Sequence, residues 1–451
     1  MKISRKDTLD MTKGSPVRVL FLFGVPVILS NLFQQLYNLI DSFIVGNYLG
    51  ADALAAVGLA GTITAVMVQM ASGLALGASV VIAQYFGAGK WEKIRVCMVT
   101  ICTFSVGAGI LATVLAQIFA KEILLLVKTP SEVMTDSVNY LTIYFWGSIA
   151  VFLYNALHAV YIAMGDSRTP LYFLLMAFFL NIAGDLFFIV TCSMGTGGSA
   201  LATTLSQGIC TLLSLLVLEK KMRRMGMKKI EHIFDKVEFV RMMRIAVPAA
   251  LQQSVVSFGN VCVQTVINGF GPAVMAGCSA ANKAVNLVST IPINWGNALS
   301  NYVSQNIGAE RPERITKGVQ ISLAVTGGLS LGMVAVMEWM PEAIIGWFIE
   351  GKGAEEVIRV GAAYLKVTAW FLVIFSEYMI LKSVFKGVGD MNWFVGLTLG
   401  SLGVRVLCTF FLTPLMGERM LWWSIVIGWC VVFVPAVWHY AGGKWKGQRV
   451  I

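Results

Sequence analysis

The chain has 451 residues, 57% of them hydrophobic and only 13% charged, with a formal net charge of +10. Soluble domains carry about 25% charged residues, and a mean hydropathy of +0.75 leaves too little polar surface to cover a globule of this length. The excess positive charge is clustered at residues 1–18, 90–95, 220–244, 311–317 and 444–449. If the N-terminus is cytoplasmic, strict alternation of apolar spans puts every one of these clusters on the cytoplasmic side. The connections at 121–136 and 338–359 are acidic or mixed. This is the positive-inside pattern, and it accounts for the charge without a nucleic-acid partner.

Several apolar runs reach the ~20 residues that a helix needs to cross a bilayer, among them 99–120, 171–190 and 421–440. Barrel strands alternate in polarity. These runs are continuously apolar, so the expected fold class is all-α integral membrane. In chain order the expected spans are 17–46, 53–86, 94–120, 137–164, 171–190 and 200–218. A basic connection follows at 219–238, then spans at 239–267, 273–307, 315–337, 357–386, 394–412 and 420–440. The domain reading is an N-lobe at 1–218, a cytoplasmic linker at 219–238 and a C-lobe at 239–451. The first apolar run carries Asn31, Gln34, Gln35 and Asp41, which suits a retained span better than a cleaved signal. The eight cysteines have no C-x-x-C spacing and read as small buried hydrophobes, with neither metal nor disulfide implied.

The two halves resemble each other. QYFGAGKWE, beginning at Gln84, matches QNIGAERPE, beginning at Gln305, 221 residues on. The same offset relates NYLG at Asn47 to NGFG at Asn268. Val25–Pro26 pairs with Val247–Pro248, and Gly165–Asp166 with Gly389–Asp390, each a few residues out of step. An even number of spans per half gives the repeats the same orientation, with their axis along the membrane normal. Duplicated bundles of this kind place a binding site at the repeat interface and alternate access by rocking. Pro26, Pro248 and Pro292 remove helix hydrogen bonds and favour bends there.

Charges inside a membrane are costly and mark function. The predicted spans contain Asp41 and Asp185 in the first half, and Lys283, Glu377 and Arg405 in the second. Asn181 and Asp185 lie four residues apart, on one helix face, and Thr203 follows in the next span. Two carboxylates, an amide and a hydroxyl form an oxygen-only set suited to a hard cation. Two neighbouring carboxylates also hold a proton, because like charges resist joint ionisation. Asp41, Asn181, Asp185 and Thr203 are therefore the candidate site for Na+ or H+. Gln34, Tyr37, His158, Lys283 and Glu377 are weaker candidates for a substrate cavity. Lys283 and Glu377 are expected to pair, with Arg405 joining either or reaching a helix end. The 22 methionines and 12 tryptophans suit a pocket for apolar cations and are equally ordinary facing lipid.

The stretch GVPVILSNLFQQLYNLIDSFIVGNYLG from Gly24, the two Q-x-x-G-A motifs and GDSRTPLYFLLMAFFLNIAGDLFFI from Gly165 resemble the multidrug and toxic compound extrusion (MATE) family, its DinF-like branch above all. The resemblance spans about Val17 to Tyr440. It implies twelve helices in two six-helix bundles around a central V-shaped cleft, and efflux of organic cations driven by Na+ or H+. The family's first-lobe cation site falls on Asp41, Asn181, Asp185 and Thr203, with Thr204 the adjacent alternative in GSALAT. In two respects the chain departs from the family. Ile162 stands where an arginine often precedes the Gly-Asp turn, while the second half keeps Lys386. Phe375 stands where other branches carry an aspartate, with Glu377 two residues on.

No P-loop, H-E-x-x-H or Cys/His cluster is present in the sequence, which argues against an ATPase or a metalloenzyme, and no cofactor is expected. A lipid-linked oligosaccharide flippase of the same superfamily is the alternative. Such a protein needs basic residues to hold pyrophosphate, and only Lys283 and Arg405 stand out as candidates, so cationic cargo is favoured. The chain is expected to act as a monomer among membrane lipids, in a bacterial cytoplasmic membrane with both termini inside.

Overall fold

The computed structural model describes residues 8–227, 233–349 and 354–451. Parts of the predicted connections at 219–238 and 338–359, and the start of the basic cluster at 1–18, lie outside the described residues. The described chain is helical throughout, with no strand. The helices are α1 (Pro16–Leu49), α2 (Ala51–Gly87), α3 (Trp91–Leu126), α4 (Ser131–Trp146), α5 (Ser148–Ala163), α6 (Arg168–Asp185) and α7 (Gly195–Arg224). The second half supplies α8 (Lys236–Asn268), α9 (Pro272–Gly308), α10 (Pro312–Trp339), α11 (Pro341–Gly346), α12 (Ala354–Val388), α13 (Met391–Leu407), α14 (Thr413–Met416) and α15 (Arg419–Ala441).

Among the described residues ten helices are long and apolar enough to cross a membrane alone, and α4 with α5 makes an eleventh. The twelfth expected span is α9. It is long enough at 37 residues, but Lys283 and six asparagines dilute its apolar sequence. The twelve-span, two-bundle architecture thus holds, with one correction. The span expected as a single helix at 137–164 is broken at Gly147, and α4 and α5 meet at a 51° bend. A Cβ on Gly147 would lie 2.9 Å from Thr204 Cγ2 and 3.0 Å from its Oγ1. The break lies where Thr204 of α7 comes close, leaving no room for a side chain larger than glycine's.

The internal repeat is visible in the backbone. Gly50 (φ 90°, ψ −176°) precedes α2, and Gly271 (φ 88°, ψ 172°) precedes α9, in nearly the same left-handed-side conformation. Gly89 (φ 70°) has its counterpart in Glu310 (φ 56°), and Gly165 (φ 79°) in Gly389 (φ 91°). The helices after Asp166 and Asp390 both end in a π-helical turn, at Leu186–Thr191 and Cys408–Leu412. Such turns are rare and often sit at functional positions.

Two compact units emerge. The first comprises Val25–Ala250 with the segment ending at Asp10; the second comprises Met11–Gly24 with Leu251–Val450. The beginning of α1 therefore packs with the second unit, and the beginning of α8 with the first. Both helices change unit beside their internal proline, Pro26 or Pro248.

The Q-x-x-G-A turns hold these helix beginnings. In the second unit the Met11 amide donates to Gln305 Oε1 (3.0 Å), and Asn306 Nδ2 donates to the Met11 carbonyl (3.2 Å). Arg311 Nη1 donates to the Thr12 carbonyl (2.7 Å), and the Arg314 guanidinium reaches the carbonyls of Met11, Lys13 and Gly14. In the first unit the same positions act on Glu238, at the start of α8. Tyr85 donates to its carboxylate (2.9 Å), Lys93 pairs with it at 3.0 Å and Arg241 at 2.6 Å. Tyr85 matches Asn306 and Lys93 matches Arg314 at the 221-residue offset. The motif is one anchoring device written twice, with backbone acceptors in one unit and a buried carboxylate in the other.

All eight cysteines are free. Cys97, Cys210 and Cys278 are buried as expected, whereas Cys192 is exposed just beyond the first π turn.

Candidate functional site

Three helices of the first unit each bring a pair of polar side chains four residues apart, hence on one face. α1 supplies Tyr37 and Asp41, α6 supplies Asn181 and Asp185, and α7 supplies Ser199 and Thr203. α7 runs opposite to the other two, so the pairs meet in two layers. In one, Ser199 Oγ donates to Asp41 Oδ1 at 3.1 Å, and the Asp41 and Asp185 carboxyl groups face each other. In the other, Asn181 Nδ2 donates to Thr203 Oγ1 at 3.2 Å, and the Tyr37 hydroxyl lies beside Thr203 and Ser206.

Asp185 is fully buried (0% exposed) and Asn181 nearly so (1%). Neither Asp185 oxygen receives a conventional hydrogen bond from a protein donor. A lone ionised carboxylate there would bear the full cost of desolvation, so the site calls for a positive charge or a shared proton. Asp185 is also the last α-helical residue before the π turn. The oxygens on offer (two carboxylates, the Asn181 carbonyl and two hydroxyls) fit a hard monovalent cation. Among the described residues no group of three or more His, Cys, Asp or Glu side chains forms a transition-metal site.

All four residues of the candidate cation site therefore come together. Thr204 turns the other way, against Gly147, so Thr203 is the hydroxyl that faces the set. Ser199 was missed at the level of sequence. In GSALAT it reads as one more small residue, and its only signal is its position four before Thr203.

The MatE family model matches the chain twice, over residues 26–187 and 248–411. The two matches start 222 residues apart and cover both halves of the repeat. The chain belongs to the MATE family of efflux transporters. It is 30% identical to the probable multidrug resistance protein YpnP of Bacillus subtilis, over 98% of each chain. It is 27% identical to YoeA, another probable multidrug resistance protein of the same organism, over 100% of this chain and 99% of the relative. A solved transporter of the MOP superfamily from Pyrococcus furiosus shares the fold with a TM-score of 0.88 at 21% identity, covering 98% of this chain and 99% of that one.

The other expected residues of this MATE chain are scattered. Gln34 is exposed on α1, two turns before Asp41 and on the same face. His158 is half-buried beside the Tyr154 ring at 6.4 Å, and no hydrogen bond links it to the carboxyl pair.

The expected ionic grouping in the second half does not form. Lys283 is exposed on α9. Arg405 Nη1 donates to Asn260 Oδ1 at 3.1 Å. Glu377 is half-buried, its Oε1 2.9 Å from where a Cβ on Gly327 of α10 would stand. Opposite charges in these two spans attract only if they share a face, and Lys283 is exposed while Glu377 lies against Gly327. The basic count of the second half also changes. Lys382 and Lys386 of α12 are buried, at 9% and 7% exposure; in the sequence Lys386 stands out only beside the Gly-Asp turn, and nothing marks Lys382.

Proposed function

We propose that this MATE transporter exports amphipathic, often cationic small molecules in exchange for H+ or Na+, by alternating access. The observation that carries the reading is the Asp41–Asp185 carboxyl pair, with Asp185 fully buried and Asp41 half-buried, ringed by Ser199, Asn181, Thr203 and Tyr37. One proton or one sodium ion relieves the repulsion between the carboxylates. Discharging it leaves the pair charged and ready for a cationic cargo or the next ion. Exchange of these states drives the cycle when each favours a different conformation. Pro26 and Pro248, beside which α1 and α8 change unit, are natural hinge positions, since each removes a helix hydrogen bond. The reading places the protein in a bacterial cytoplasmic membrane as a monomer, with both termini cytoplasmic.

Efflux of ethidium from proteoliposomes under separately imposed proton and sodium gradients tests the proposal, using wild type, Asp41→Asn and Asp185→Asn. Gradient-driven efflux in wild type and its loss in both variants is the expected outcome. Wild-type rates in both variants would discard the carboxyl pair as the coupling site, and no gradient-driven efflux in wild type would discard exchange.

The second reading is movement of an anionic, lipid-linked cargo. It is favoured by the buried lysines of α12, which supply the basic side chains that such a cargo requires.

A further inference from the structure

Within the second unit, Lys382 and Lys386 lie four residues apart on one face of α12. Both are at least nine-tenths buried. Lys386 Nζ donates to Asn297 Oδ1 of α9 at 2.6 Å. Lys382 Nζ has no hydrogen-bond or ion-pair partner among the described residues. It stands 4.7 Å from the centre of the Phe394 ring on α13 and 5.9 Å from that of Tyr378. The acids nearest in sequence are turned away or already engaged. Glu377, five residues before Lys382, points about 140° round the helix and lies against Gly327 of α10. Asp390 accepts from the Trp393 amide and bonds His439 Nε2 at 2.9 Å. Arg405, half-buried on α13, donates through Nη1 to Asn260 instead.

Two ammonium groups side by side, out of water and without a carboxylate, repel each other and lack the compensation that buried charges need. Their donors are also unused. Each ammonium has three and the Asn297 amide nitrogen has two, yet only one Lys386 hydrogen finds a protein acceptor. Unused donors on neighbouring side chains of which two are nine-tenths buried are what a tetrahedral oxyanion can satisfy. We propose that Lys382, Lys386 and the Asn297 amide form a subsite for a phosphate-type anion, carried on a soluble organic phosphate or on a lipid headgroup. The Phe394 and Tyr378 rings would flank the body attached to it.

The test reads binding to the purified full-length protein, so it stands or falls separately from the export reading. Wild type, Lys382→Met/Lys386→Met and, as a control, Lys283→Met are placed in nanodiscs of phosphatidylcholine or of phosphatidylglycerol. Thermal unfolding midpoints are followed as inorganic phosphate, pyrophosphate or AMP is added. A ligand that binds only the folded state raises the midpoint with its concentration. If the occupant is soluble, pyrophosphate or AMP raises the midpoint by about 3 °C at a concentration about 100 times its Kd in wild type and Lys283→Met, and not in the double variant. If it is lipid, the soluble anions do nothing, and phosphatidylglycerol raises the midpoint over phosphatidylcholine only where both lysines are present. Should the double variant not fold, Lys382→Met takes its place, since that side chain makes no hydrogen bond to lose. Absence of both responses, or equal responses with and without the lysines, overturns the subsite.

Discussion

Ser199 Oγ donates to Asp41 Oδ1 at 3.1 Å, joining α7 to the carboxylate of α1 across the face that α6 completes with Asp185. If this set holds the coupled cation, Ser199 orients Asp41 without itself changing charge. A hydrogen bond to an ionised group is worth about 1.5–3 kcal/mol. Ser199→Ala should therefore raise the driving-ion concentration for half-maximal efflux about tenfold, which corresponds to ~1.4 kcal/mol. Ser199→Thr, which keeps the hydroxyl, should stay near wild type. Equal half-saturation in wild type and Ser199→Ala would detach Ser199 from the site.

The second layer makes a stability prediction. Thr203 Oγ1 accepts from Asn181 Nδ2, and both side chains are buried. Thr203→Val keeps the shape and strands the amide, at a cost of about 1–3 kcal/mol. Asn181→Leu alone should cost a similar amount. The double variant should recover part of the loss, since no donor is then left unpaired. Unfolding midpoints of the detergent-solubilised protein check this, and strictly additive losses would show that the two side chains do not interact.

Gly147 makes a prediction about the broken span. Its missing Cβ leaves room for Thr204, which would otherwise sit 2.9 Å away. Gly147→Ala should destabilise by about 1–3 kcal/mol through overpacking. Adding Thr204→Ala should restore much of that by removing the atoms in the way. If Thr204→Ala fails to help Gly147→Ala, some other contact produces the bend.

Much of the fold is legible in the sequence. Composition requires a membrane, the apolar runs mark the spans, and the repeat is visible in matched strings such as those beginning at Gln84 and Gln305. Three features are not legible, for physical reasons. The break at Gly147 comes from the approach of a helix more than fifty residues away in sequence. The π turn after Asp185 has a counterpart 222 residues on, but neither carries a proline or glycine to announce it. Side-chain direction decides the rest. Lys283 and Glu377 attract on paper and face different ways in space, while Lys382 and Lys386 look like the polar end of a helix and are in fact buried. Asp41, Asn181, Asp185 and Thr203 could be gathered because acids and amides stand out in apolar spans and because helical spacing fixes which of them share a face. Ser199 could not, because serine is unremarkable among small residues until a carboxylate is seen opposite.

The two Gly-Asp turns test how the repeat has diverged. Asp166 pairs with Lys221, near the end of α7, and Asp390 bonds His439, near the end of α15, at 2.9 Å. All four side chains are nearly buried, and the His439 ring stacks on Trp393 with centroids 4.0 Å apart. Each half of the repeat thus ties the turn before one helix to the last helix of that half, with an ammonium in one and an imidazole in the other. Losing one partner of a buried pair leaves the other charge uncompensated, at about 3–5 kcal/mol. Lys221→Met should therefore destabilise strongly, and Asp166→Asn/Lys221→Met should regain most of the loss, because the pair as a whole adds little net stability. His439→Phe should cost less than Lys221→Met. It keeps a ring for Trp393 to stack on, whereas Lys221→Met removes the ammonium outright. Chemical or thermal unfolding of the three variants decides the matter. If His439→Phe proves the more damaging of the two, the histidine does more than stand in for the lysine, and the two turns are not structural equivalents.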